Sequence, residues 1–180
     1  MDRDRERSAL QRDHRDSVAE FITAAESVPA SAWESPLAPG KWSPAQVAEH
    51  LRLSYEVINK ELSGQPGLRV RTSWWLRLIL RLRVLPSILR EGRIREGAQA
   101  PREIRPGPGP FPRDPLLARL RAVSADAEAR LTGRPEQAGA GITHHVFGRL
   151  SPARALRFLA VHNGHHTRQL TSSDIPPGGD

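Results

Sequence analysis

Three of the seven histidines crowd into Ala160-Val161-His162-Asn163-Gly164-His165-His166-Thr167. Imidazole titrates nearest neutrality of all side chains and is the commonest nitrogen ligand for divalent metals, so such a group bears on proton transfer or on metal binding. At about 100° per residue, His162 and His166 leave a helix on nearly the same side, together with Ala155, Phe158, Leu159 and Gln169. That is an apolar, inward stripe, and two imidazoles one turn apart on it can reach one ion. Two donors do not make a tight site. A third must come from another helix, and His50 lies on an inward stripe with Val47, Leu51, Ser54 or Tyr55, Ile58 and Leu62. Alone, His50 reads as a core histidine with both ring nitrogens hydrogen-bonded. Facing a pair, it completes the arrangement by which bundles build metal sites from facing helices. The expected metal ligands are therefore His50, His162 and His166.

The remaining histidines carry less. His165 lies about 60° from His162 on the helical wheel, on the side away from His166. Packing is its simplest role, and donation to a ligand or acid/base work near a metal makes it a weak catalytic candidate. His144 and His145 precede the last helix in a loop that gives them no defined geometry. His14, among the charged first turns, is expected to be solvated.

The elements that must position these residues can be read from periodicity and punctuation. A first helix is expected from about Arg5 to Val28, with Leu10, Val18, Phe21, Ile22 and Ala25 inward and Pro29 ending it. Ala30 to Trp42 reads as a loop held down by Trp33 and Trp42. Ser43-Pro44-Ala45-Gln46 is a strong helix start, with a capping serine, a proline at the first helical position and a glutamine able to close a capping box. The second helix runs from there to about Leu62, and Ser63-Gly64-Gln65-Pro66-Gly67 breaks it. Ser73 to Glu96 is rich in tryptophan, leucine and arginine and contains Pro86. A cationic amphipathic stretch of this kind suits a membrane surface. The simpler expectation is a short helix, kinked or ended near Pro86, docked over one end of the bundle or at a dimer interface, with arginine stems covering apolar surface. Gly97 to Pro112, with prolines at 101, 106, 108, 110 and 112, is expected to cross the surface without regular structure. Asp114-Pro115 restarts a helix whose stripe is Leu116, Leu117, Leu120, Val123, Ala127 and Leu131, closed by Gly133. Arg134 to Leu150 is a loop, and Ser151-Pro152 opens the last helix. One domain over 1–170 and a disordered tail over 171–180 are expected.

Composition narrows the classes. There is no cysteine among the 180 residues, which excludes a disulfide framework, a thiolate metal site and a cysteine nucleophile, and fits a chain that folds in a reducing cytoplasm. The formal charge of +7 is nearly all arginine, Lys41 and Lys60 being the only lysines. An acidic partner is open on that ground, and nucleic acid is the minority expectation because arginine bias also follows genomic base composition. No apolar run reaches the roughly 20 residues of a membrane-spanning helix, and the charged N-terminus is no signal peptide.

The order of a helix, a capped helix with one inward histidine, a proline-rich excursion, a long helix and a last helix with an inward pair resembles a known family. Gly40-Lys41-Trp42-Ser43-Pro44-Ala45-Gln46-Val47-Ala48-Glu49-His50-Leu51 and His162-Asn163-Gly164-His165-His166-Thr167-Arg168-Gln169-Leu170 look like the paired motifs of the DinB-like (YfiT-type) superfamily of bacterial metal-binding proteins. The resemblance covers about Glu20 to Leu170, and Trp74 to Pro112 is similar to the long insertion of one branch. It implies an all-α, up-down-down-up four-helix bundle, often a homodimer, binding zinc or nickel through residues that map to His50, His162 and His166. It also implies, for some members, a low-molecular-weight thiol as cofactor or co-substrate.

Three neutral imidazoles leave the ion with a net charge near +2 and an open position, the pattern of catalytic rather than closed structural sites. Such an ion can draw the pKa of a bound water toward ~7 or hold an external thiol as its thiolate. No Glu or Asp stands beside the pair in the last helix, so hydrolysis carries less weight than the ligand set alone suggests. Two classes follow. One is a metal-dependent enzyme, a thiol-using transferase or a hydrolase, acting on a small substrate. The other is a non-catalytic metal-binding or interaction protein whose arginine-rich surface meets an acidic partner or nucleic acid.

Overall fold

The computed structural model describes residues 2–94, 99–137 and 139–172. Among them the chain is mostly helical, and its frame is four long helices: α1 (Asp2–Ser27), α2 (Pro44–Leu62), α5 (Arg113–Thr132) and α6 (Pro152–Thr171). Between α2 and α5 lie α3 (Trp74–Ile79), a π-helical segment (Leu80–Val84) and α4 (Leu85–Glu91). Before α6 comes a small hairpin of β1 (Thr143–His144) and β2 (Gly148–Arg149), antiparallel. Among the described residues it is the one departure toward strand in what was expected to be loop. Gly141 and Gly148 permit it: a Cβ on Gly141 would fall 2.0 Å from the Leu150 carbonyl oxygen, and Gly148 has φ +69°.

Helix starts follow the local chemistry. Ser43 caps α2 through a full capping box, its side chain accepting from Gln46 N–H while the Gln46 side chain accepts from Ser43 N–H. At α5 the helix begins one residue before the expected Asp114, after Pro112, and Asp114 sits inside the first turn. The negative side chain favours that N-terminal turn without capping it. At the other end α6 runs through Thr171, which is helical where the tail was expected to begin; residues 173–180 lie outside the described residues.

The core is the meeting of the inward stripes. Phe21, Ile22 and Ala25 of α1, Val47, Leu51 and Tyr55 of α2, Leu117, Leu120 and Leu131 of α5, and Leu156 and Leu159 of α6 are all buried in one cluster. Polar ties fix the pairing of helices. Between α2 and α5, Arg119 meets Glu56, Asn59 donates to the Val123 carbonyl at 2.9 Å, and Arg130 donates to Ser63 at 2.9 Å. Between α1 and α5, Arg15 and His14 meet Glu128, and Arg121 meets Glu26 at 2.7 Å.

His14 corrects the expectation of a solvated side chain: it is 1% exposed. The cause is its stripe, since His14, Ser17, Phe21 and Ala25 follow helical spacing and all are buried. Its Nδ1 lies 3.0 Å from Glu128 Oε2 and its Nε2 2.8 Å from Tyr55 Oη. With the proton on Nδ1 donated to Glu128, Nε2 accepts from the Tyr55 hydroxyl, and Tyr55 in turn accepts from Asn163 Nδ2 at 2.8 Å. Asn163 also donates to Ser17 Oγ at 3.0 Å. Every member of this buried chain has a partner, the condition under which a polar core specifies a packing rather than weakening it.

The proline-rich crossover is described from Gln99 onward, Gly97 and Ala98 lying outside the described residues. It is not wholly irregular. Arg102–Ile104 form a 3₁₀ turn, because Pro101 sets an extended entry and Ile104 buries its side chain against α2. Further on, Trp33 Nε1 donates to the Phe111 carbonyl at 2.8 Å and Glu34 accepts from Phe111 N–H at 2.7 Å, which pins the crossover to the loop between α1 and α2.

Candidate metal centre

His50 arrives from the middle of α2, and His162 and His166 from successive turns of α6. Their Nε2 atoms converge. His162 Nε2 lies 3.3 Å from His50 Nε2 and 3.1 Å from His166 Nε2, and the ring centroids of His50 and His166 are 5.0 Å apart. The three ligand atoms all fall within 4.8 Å of one another. Nitrogens held at ~2.0–2.1 Å around a tetrahedral ion stand about 3.3–3.4 Å apart, and His162 stands close to that distance from each of the other two.

The protonation of the rings strengthens this reading. His50 Nδ1 faces the Ile104 carbonyl oxygen at 2.7 Å and must carry its proton there. His166 Nδ1 faces Gln169 Oε1 at 2.8 Å, which fixes the same tautomer. Both rings therefore turn a bare Nε2 lone pair toward His162. A neutral His162 can offer at most one proton between them, so at least one of the two lone pairs faces His162 without a donor. A cation bound among the three would satisfy both lone pairs at once.

Burial keeps the donors ready. It pushes the His50 pKa down to about 4, against the opposing pull of the Ile104 carbonyl. His162 is held well below its ordinary value by burial and then by the neighbouring His166 and His50, and His166 by burial and then by His50. All are neutral at pH 7, the form that ligates. His50 and His166 are buried and His162 is half-buried.

Around the donors, aromatic rings set their positions. Trp42 packs at 5.0 Å on His50, and Phe158 stacks at 6.0 Å from His162. His144, left without geometry by the sequence, is fixed in β1. Its Nδ1 accepts from the Val146 and Phe147 amides at 3.1 and 3.3 Å, and its ring packs between Phe147 and Phe158 at 4.7 Å each. Burial and His145 lower its pKa to about 3. His145 stacks on His144 at 4.5 Å and stays outside the donor cluster. His165 does not reach the three Nε2 atoms either; its Nε2 lies 3.3 Å from Gln169 Nε2.

Two contributors escaped the sequence. The Ile104 carbonyl is backbone from a distant turn and leaves no residue-type signal. Gln169 was on the stripe, and its i+3 spacing from His166 was the available clue. Among the described residues no carboxylate joins the donor cluster. Glu49, adjacent to His50 in sequence, is engaged by Arg52 at 2.6 Å through both oxygens. Gln169→Leu is expected to weaken metal affinity about 10–100-fold by freeing the His166 ring, measured by competition with a chromophoric chelator. Unchanged affinity would deny Gln169 its positioning role.

A family model described as DinB superfamily matches residues 14–170. No curated protein and no solved structure matches the chain.

Proposed function

The chain belongs to the DinB superfamily, and on that premise we propose that it is a metal-dependent enzyme whose His50, His162 and His166 hold one divalent ion, zinc or nickel, through Nε2. The observation that carries this is the convergence of three Nε2 atoms, two of them stripped of protons by the Ile104 carbonyl and Gln169. When bound, the ion supplies Lewis acidity toward a thiol, a water or a carbonyl group. The chain's own residues hold the three imidazoles neutral and oriented, and Gln169 bridges His166 to His165, the nearest candidate for handling a proton beside the cluster. Lack of a carboxylate at the cluster favours a reaction whose nucleophile brings its own acidity, so thiol-dependent transfer to a small electrophile ranks ahead of hydrolysis.

The same reading places the bundle in up-down-down-up order. Its support is that ties between α2 and α5 rise together in number, Glu56 meeting Arg119 and Ser63 meeting Arg130, while those between α1 and α5 run opposite, Arg15 meeting Glu128 and Glu26 meeting Arg121, as do those between α2 and α6, His50 meeting His166 and Tyr55 meeting Asn163. A single domain over 1–170, homodimerisation and a cytoplasmic setting belong to this proposal.

The test is elemental analysis of untagged protein after incubation with zinc or nickel and dialysis. One ion per chain is expected, and stoichiometry that stays near zero with both metals would refute the site. The competing reading, a metal-holding protein without catalysis, is favoured by the same missing carboxylate. It prevails if the loaded protein turns over no thiol with a panel of electrophiles and hydrolyses no ester or amide.

A further inference from the structure

Trp74 to Glu91 docks on the bundle by one face only. Leu85 is buried, and Leu80, Val84, Ile88 and Leu89 pack against the core. The π-helical segment makes this possible: its wider turn shifts the helical phase just before Pro86, whose missing N–H could not complete an α-helical bond, and so brings Leu85 inward. The opposite face is left in water. Trp74 is 72% exposed, Leu82 68%, Trp75 54%, Leu78 51% and Ile79 51%. Within α3, at about 100° per residue, Trp74, Trp75, Leu78 and Ile79 occupy one arc of about 140° with Arg77 beyond one border, and the exposed Leu82 continues into the π-helical segment between Arg81 and Arg83. Exposed apolar side chains scattered singly need no explanation, but a contiguous patch with two adjacent tryptophans does.

Charge says what covers it. Between Glu61 and Glu91 there is no acidic residue, while Arg69, Arg71, Arg77, Arg81, Arg83 and Arg90 all fall in that interval. A second copy of the chain set face to face would bring both sets of border arginines to one seam, with no carboxylate between Trp74 and Arg90 to answer them. An anionic lipid surface satisfies both halves of the patch: tryptophans and leucines enter the headgroup boundary, and the arginines bordering them meet phosphate. We propose that the exposed face of Trp74 to Glu91 is a peripheral docking surface for an anionic phospholipid bilayer. No described helix is long and apolar enough to cross a membrane, so the attachment is by this face lying in the interface plane. It carries the bundle as cargo through the anchored row at Leu85, Ile88 and Leu89.

Co-sedimentation of the full-length chain with vesicles tests it. Vesicles of equal parts phosphatidylcholine and phosphatidylglycerol are expected to pellet the protein, pure phosphatidylcholine vesicles to leave it in solution, and salt near ~0.5 M to release it. Trp74→Ser combined with Leu82→Ser should weaken binding at least about tenfold, and Arg83→Glu alone should weaken it several-fold, roughly, without touching the buried row. Retained helical circular dichroism shows that the variants fold, and the charge variant carries the test if the apolar one does not. The proposal is overturned if neither vesicle pellets the protein, or if both pellet it equally. It also falls if the variants bind as the parent does, or if light scattering shows a dimer that Trp74→Ser with Leu82→Ser dissociates. Salt-sensitive binding to single-stranded RNA in place of vesicles overturns it as well.

Discussion

His162→Ala is expected to abolish metal binding and any turnover together. His162 Nε2 stands between the other two donors, 3.3 Å from that of His50 and 3.1 Å from that of His166. Its loss leaves two nitrogens on facing helices and removes the closest pairwise chelate, the one made within a single helix. Two imidazoles do not hold zinc against dialysis as three do. The fold should survive, since the half-buried ring is not part of the apolar cluster. His165→Ala is the control on the same helix. It should keep one ion per chain, because His165 lies outside the donor set, while turnover falls by about 10–100-fold through the slackened Gln169 and His166 pair. Elemental analysis and a d–d spectrum of the cobalt-substituted variants read the metal independently of activity. If His165→Ala loses the ion and His162→Ala retains it, the ligating face of α6 is the wrong one.

What the sequence disclosed, it disclosed through local grammar. Ser43, Pro44 and Gln46 announce α2 to the residue because capping is decided within one turn, and the stripes of α2 and α6 place His50, His162 and His166 inward because burial follows period. Contacts made by backbone or across distant sequence were not legible. The Ile104 carbonyl carries no side-chain signature, and its approach to His50 depends on how a proline-rich crossover settles on α2. His14 misled because Arg12, Asp13, Arg15 and Asp16 surround it in sequence, while the partners that let it be buried, Tyr55 and Glu128, come from α2 and α5. The stretch from Ser73 to Glu96 was expected to dock, and its leucine-rich composition gave no way to tell one docked face from two. The π-helical turn that divides the faces is a tertiary compromise around Pro86.

Acid should begin to destabilise the metal-free protein near pH ~6.5, above the range in which carboxylates titrate. His50 has its pKa depressed to about 4, and His14, His162 and His166 are lowered as well, each chiefly by burial. An unfolded histidine titrates near ~6.5, so below that pH the unfolded chain binds protons that the folded chain refuses, and stability falls as pH falls. For His50 the loss is complete only when the folded pKa is reached, and between about pH 6.5 and about 4 it amounts to roughly 3 kcal/mol. The other three histidines act in the same direction and start at the same upper limit. Against a total stability of about 5–15 kcal/mol, that is enough to unfold a domain of ordinary stability before pH 4 is reached. A bound ion changes the upper part of the curve, because it stabilises only the folded, deprotonated cluster and is itself displaced by protons. Urea melts of chelator-treated and metal-loaded protein at pH 7.5, 6 and 5 (values chosen about the ordinary histidine pKa) give the readout. The loaded protein should be the more stable at the highest pH and converge on the metal-free curve at the lowest. A midpoint that does not move between the extremes in the metal-free protein would mean that these rings accept protons in place, and that the neutral, ligand-ready cluster is not the state the fold maintains.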